Sequence, residues 1–195
     1  MRLFNETADI HRGARERGCI CNRLPWQRQR PTSDPTVTTM AMEIERKFLV
    51  KGDAWRALAK ATTYRQGYLN SAEERTVRVR TAGDKQAFLT IKGLTVGATR
   101  AEYEYEIPFD EGKAMLDTLA EKPLIEKKRY KIHVGGLTWE VDEFLGDNAG
   151  LIVAEVELKS EDQAFDRPSW LGEEVTGDPR YYNANLIKKP FTQWH

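Results

Sequence analysis

The sequence predicts a mainly β fold of the α+β class: an eight-stranded antiparallel β-barrel closed into a tunnel, with a charged interior and flanking α-helices. Three observations predict it. Eight segments between residues 42 and 159 alternate apolar and polar residues with a period of two. On their polar side, charges of one sign recur at i and i+2. Helical patterns interrupt the series twice, once after the first strand and once after the fifth.

The first strand lies in "MEIERKFLV" (42–50), where Ile44, Phe48 and Val50 share one face and Glu43, Glu45, Lys47 and Leu49 the other. "DAWRALAKA" (53–61) reads as a short helix capped by Asp53. "YRQGYLN" (64–70) is the second strand. In the third, Val77 and Val79 alternate with Arg78 and Arg80; in the fourth, Leu89 and Ile91 alternate with Thr90 and Lys92. The fifth sets Tyr103, Tyr105 and Ile107 against Glu102, Glu104 and Glu106. "DEGKAMLDTLA" (110–120) is a second helix, opened by Asp110 and ended before Pro123. Residues 124–134 and 137–146 form a hairpin turned through Gly135 and Gly136. Its strands set Tyr130 and Ile132 against Lys127, Arg129 and Lys131, and Val141 against Glu140 and Asp142. The eighth strand opposes Val156 and Leu158 to Glu155 and Glu157, and a short helix near 183–189 finishes the chain.

A sheet with one wet face is the ordinary reading of such alternation. Two details oppose it. Like charges at i and i+2 sit about 7 Å apart, which costs roughly 0.6 kcal/mol in water and about 2 kcal/mol at an effective dielectric near 20. A solvated face would mix signs. Here they segregate by strand, acidic at 43–45, 102–106, 140–142 and 155–157, basic at 78–80, 92 and 127–131. Segregated faces make sense when they converge on a common bore, the apolar faces packing outward against helices. Carboxylates suit Mg²⁺ or Mn²⁺, and Arg and Lys suit phosphate oxygens. The natural occupant is a metal-complexed polyphosphate.

Composition narrows the function classes. The chain has 195 residues, a formal net charge of zero, 40% hydrophobic and 31% charged residues. Neutrality argues against a generic nucleic-acid binder, and no apolar run is long enough to span a membrane. Cys19 and Cys21 lack a second pair for a zinc site, and the absence of cysteine beyond them fits a cytoplasmic protein. Residues 1–41 carry seven arginines and no lysine. They read as a disordered extension or the product of an upstream start, with Met40 and Met42 as alternative starts and the domain spanning 42–195. His11 and His133 have no partner at metal spacing, Trp139, Trp170 and Trp194 read as packing residues, and no glycine-rich phosphate loop is present.

The ordered series "EIERK", "RQGYL", "VRVR", "TIKG", "RAEYEYEI", "EKKRY", "WEVDEF", "AEVEL" and "GEEVTGDPRYYN" resembles the triphosphate tunnel metalloenzymes, or CYTH superfamily, over about residues 42–190. It is most similar to the short single-domain bacterial members. The resemblance implies a barrel whose bore binds a triphosphate with a divalent metal. It implies metal ligands at Glu43, Glu45, Glu102, Glu104, Asp142, Glu155 and Glu157. It implies phosphate ligands at Lys47, Arg78, Arg80, Lys92, Lys127 and Arg129, with Lys127, Arg129 and Glu45 closest to the chemistry. Glu106, Glu140 and Lys131 share the inward parity, and Tyr68 belongs either near the mouth or in the barrel wall.

That architecture supports hydrolysis of tripolyphosphate, thiamine triphosphate or nucleoside triphosphates, and adenylyl cyclisation. Bacterial cyclases of this family carry a His-Phe pair before Glu-x-Glu-x-Lys; here the stretch is "TVTTMAM". With no base-recognition element evident either, the expectation is an inorganic triphosphatase using Mg²⁺ or Mn²⁺. A non-catalytic polyphosphate-binding module is the alternative from another class, and a homodimer is left open.

Overall fold

The computed structural model describes residues 44–72, 74–96 and 99–194. The expectation for residues 1–41, and Glu43 itself, lie outside the described residues.

Among the described residues, nine strands form one antiparallel sheet: β1 (Ile44–Val50), β2 (Ala61–Asn70), β3 (Thr76–Ala82), β4 (Gln86–Val96), β5 (Thr99–Ile107), β6 (Ile125–Val134), β7 (Leu137–Phe144), β8 (Ile152–Leu158) and β9 (Leu171–Glu174). The hydrogen-bonded order is β5-β4-β3-β2-β6-β7-β8-β1-β9. The eight expected strands are present, and the fold is the antiparallel tunnel that they imply. Four-residue β9, too short to show an alternation, is an addition that pairs with β1. Gly135 and Gly136 turn the β6–β7 hairpin with φ of 58° and 76°, a conformation open to glycine at no steric cost.

Register confirms the two faces. Lys47 lies opposite Glu155, Arg129 opposite Asp142, Arg80 opposite Gln66 and Lys92 opposite Glu102. Side chains directly opposite in an antiparallel pair share a face, so each of these pairs occupies one side of the sheet. The other side is apolar and covered twice. Over β1, β6, β7 and β8, Phe48, Tyr130, Trp139, Val141 and Val156 pack with Trp55, Trp170 and Leu171. Over β2 to β5, Val79, Leu89 and Ile107 receive Leu116 and Ala120 of helix α1 (Phe109–Thr118) and the turn after it. Gly112 permits that approach, since a Cβ there would stand 2.5 Å from Ala87 Cβ.

Three details differ from expectation. Residues Ala54–Leu58 form a 3-10 turn, and Asp53 makes no side-chain cap; its Oδ1 accepts from Arg56 Nε at 3.1 Å instead. Asp110 is not the cap of α1 either, because Pro108 holds that position and Asp110 sits in the first turn, where its charge suits the helix N-terminus. The inner face is also not charged throughout. At one end Leu49, Tyr68, Ile125, Phe144, Leu151 and Val153 are apolar, and they pack against Val175, Tyr181, Leu186 and Ile187 of the C-terminal segment. That segment includes the short helix α2 (Asn183–Leu186). Tyr68, 6% exposed, therefore belongs to the wall.

Candidate active site

Strand periodicity alone delivers the functional side chains to the inner face, where they sort into two groups. The first spans β3, β4 and β5. Arg80 donates through its terminal nitrogen to Glu104 at 2.8 Å, and Thr90, wholly buried, donates to the other Glu104 oxygen at 2.9 Å. Arg78 reaches Thr90 Oγ1 at 3.3 Å, and Lys92 pairs with Glu102 at 2.5 Å. The second group spans β1, β6, β7 and β8. Asp142 is fully buried and accepts from Arg129 through both oxygens, at 2.7 and 2.6 Å, and from Lys127 Nζ. Arg129 also bonds Glu140 and reaches Glu155 at 3.3 Å, while Lys47 bonds Glu45 at 2.7 Å and Glu155. The Tyr64 ring joins the groups, with the Arg80 guanidinium at 5.7 Å and that of Arg129 at 5.4 Å.

Electrostatics follow from this crowding. Burial and the Arg129 charge pull the Lys127 ammonium below its ordinary range. Burial and the Glu155 carboxylate push Glu45 up, against the pull of Lys47. Glu155 is held well below the usual carboxylate range: burial opposes this, but Lys47, Lys127 and Arg129 together outweigh it.

Every predicted site residue from Glu45 to Glu157 within the described region has the expected parity, but the positions differ in depth. Lys127, Arg129 and Asp142 are buried; Glu106, Lys131 and Glu157 are exposed. The expected metal ligands do not gather at one point: no three Asp, Glu, His or Cys side chains among the described residues converge to hold an ion. What does occur is adjacency of like charge. Glu45 lies directly opposite Glu157, and Glu140 directly opposite Glu155. Opposed carboxylates of this kind suit a hard cation, and Mg²⁺ is bound through one or two carboxylates plus substrate phosphate, not a complete protein cage. The donor set therefore fits a divalent ion that shares its coordination with a bound polyphosphate.

Two further residues carry no charge-pattern signal in the sequence. Gln66, 2% exposed, faces inward between Arg80 and Ile125. Its signal was a polar residue at an inward position of "YRQGYLN", lacking the charge that marked the others. On the outer face Glu174 of β9 accepts a two-pronged bond from Arg46, one arm at 2.7 Å, so Arg46 points away from the bore.

The CYTH domain model matches residues 41–189. Among curated proteins, an inorganic triphosphatase of Acetivibrio thermocellus is 55% identical over 152 residues, 78% of this chain and 97% of the relative. An inorganic triphosphatase of Nitrosomonas europaea is 41% identical over 148 residues, 74% and 95% of the two chains. A crystal structure of an inorganic triphosphatase superimposes with a TM-score of 0.57 at 38% identity, covering 76% of this chain and 95% of that one. No helix among the described residues is long and apolar enough to cross a membrane.

Proposed function

This chain belongs to the CYTH domain family, and on that premise we propose that it hydrolyses inorganic triphosphate to pyrophosphate and phosphate within its tunnel, with Mg²⁺ or Mn²⁺ as cofactor. One observation carries the reading most directly: Arg78 Nε and Arg80 Nε are buried donors with no acceptor among the described residues. Buried charged donors left unmatched cost stability, and both sit on the face where phosphate oxygens would complete them. The names of the similar proteins support the same substrate.

The residues take roles as follows. Arg78, Arg80 and Lys92 from one group, and Lys47, Lys127 and Arg129 from the other, bind the phosphate oxygens. Their carboxylate partners, Glu45, Glu102, Glu104 and Glu155, would thereby be released from pairing, and this set together with Glu43 and Glu157 would supply the one or two carboxylates that hold a divalent ion beside the phosphate. That ion, when bound, supplies positive charge to the phosphate oxygens and acidifies a water nucleophile. Glu45, already biased towards accepting a proton, orients the attacking water. Lys127 and Arg129 stabilise the charge that grows on the departing pyrophosphate. Asp142, with both oxygens engaged by Lys127 and Arg129, positions those two cations and is a less direct metal ligand than the sequence suggested. The cysteine-free domain supports a cytoplasmic location.

Phosphate release from tripolyphosphate, thiamine triphosphate and ATP, each with Mg²⁺ and with Mn²⁺, tests the reading. Tripolyphosphate should give the highest kcat/KM by at least tenfold. A preference for either organic triphosphate would replace the substrate, and no metal-dependent release from any of them would leave a binding module.

A further inference from the structure

Gln66 is a neutral side chain buried in a wall of charges. It projects from β2 with only 2% exposure, and its Nε2 has no acceptor among the described residues. Its cross-strand neighbours explain why. Arg80 on β3 is itself only a donor, and Ile125 on β6 has nothing to offer. Along β2 the inward residues on either side are Tyr64 and Tyr68. Glu104, the carboxylate partner of the neighbouring Arg80, is already engaged by Arg80 and Thr90. A residue kept only for packing at this depth would be apolar, because a buried amide with an unmet donor is destabilising. The helix side of β2 is taken by its outward neighbour Gly67, where an added Cβ would stand 2.6 Å from Ala120 Cβ, and strand alternation turns the Gln66 amide the other way.

We propose that Gln66 is a further substrate-binding residue: its Nε2–H donates to a phosphoryl oxygen of the bound triphosphate, alongside Arg78 Nε and Arg80 Nε. Three buried donors on the inner faces of adjacent strands β2 and β3 then share one anion. The two guanidinium groups bring charge. The amide adds an uncharged donor at a set position, next to the apolar end formed by Tyr68, Ile125 and Phe144. An uncharged donor there restricts where the chain of phosphates can stop without strengthening the grip on product as a third cation would. This inference rests on the triphosphate reading above.

Gln66→Met keeps the length of the side chain and removes the donor. Loss of a hydrogen bond to a charged group should raise the KM for tripolyphosphate about 10- to 100-fold, while the melting temperature of the ligand-free protein stays level or rises. The stabilisation of the protein by added tripolyphosphate should shrink in parallel. An unchanged KM, with or without a lower melting temperature, would overturn the proposal and return Gln66 to a structural role. If Gln66→Met does not fold, Gln66→Leu reads the same two quantities. Arg80→Ala, assayed beside them, separates the levels. A raised KM in Arg80→Ala with a normal KM in Gln66→Met defeats only the role of Gln66. Normal KM values in both defeat the phosphate site itself.

Discussion

Asp142→Asn is the sharpest test of how the bore is held together. Asp142 is fully buried, and the Lys127 and Arg129 side chains that it binds are 3% and 9% exposed. Little water is available to screen the change. Asparagine preserves the shape but removes the charge, and it turns an amide NH₂ towards an ammonium or guanidinium that can only donate. Breaking a buried ion pair from one side costs about 3–5 kcal/mol. For a domain of this size each kcal/mol moves the melting temperature by about 2–4 °C, so a loss of about 6–20 °C is expected by thermal unfolding. Added tripolyphosphate, in metal-free buffer to prevent turnover, should stabilise the variant more than the parent, because the anion replaces the missing negative charge. Phosphate-release kinetics should show reduced kcat, since Lys127 and Arg129 lose their common anchor. A variant with unchanged melting temperature and unchanged kcat would refute the assignment of Asp142 as that anchor.

Three other outcomes follow. The Glu155 carboxyl titrates below its ordinary value of 4.5, so the stability it contributes is present above that pH and is lost as pH falls through the lowered value; Glu155→Gln should flatten this acid limb in unfolding curves. Glu45 titrates above 4.5, so its contribution is present below that pH and is lost as pH rises through the raised value; Glu45→Gln should remove that loss while abolishing metal-dependent turnover, and full turnover would exclude it from the chemistry. Arg46→Ala removes a half-exposed pair with Glu174, which should cost at most about 1 kcal/mol and leave KM intact, whereas Arg78→Ala should raise KM at least tenfold; equal damage from both would mean that the inward parity is wrong. A chain beginning at Met42 should unfold and turn over tripolyphosphate as the full chain does, since the family match begins at residue 41, and loss of either property would make the preceding segment part of the domain.

Parity was legible because a strand has no choice in it: once "VRVR" and "EYEYE" are extended, Arg78, Arg80, Glu102 and Glu104 must share faces. Charge made those faces conspicuous. Gln66 obeys the same geometry but carries no charge, and only its burial and its unmet donor distinguish it from an incidental polar residue. The apolar end of the bore was hidden for a different reason. Tyr68, Ile125 and Phe144 stand at inward positions of strands read as charged. What covers them, Val175 through Ile187, is irregular up to the short α2, and its path depends on tertiary contacts and not on a repeating pattern. The cap expected at Asp53 failed because its carboxylate found Arg56 within its own turn.

Register also reveals where the like-charge cost inferred from the sequence is relieved and where it persists. Across β6 and β7, Arg129 and Lys131 face Asp142 and Glu140; across β4 and β5, Lys92 faces Glu102. Repeats of one sign on a strand thus become alternating signs across strands, and the repulsion is largely offset within the sheet. On the other flank it is not. Glu140 faces Glu155, and Glu45 faces Glu157, with Lys47 and Arg129 bridging the excess through bonds to Glu45, Glu155 and Glu140. Those two cations are also the groups a polyphosphate would claim. Once phosphate oxygens draw them away, four glutamates on three neighbouring strands keep their mutual repulsion and lose their counter-charge, and a divalent cation arriving with the same polyphosphate is the partner of matching charge and hardness. On the proposed reading the arrangement would bind anion and metal as a linked pair: each would make the other's site favourable, and neither alone would balance the wall.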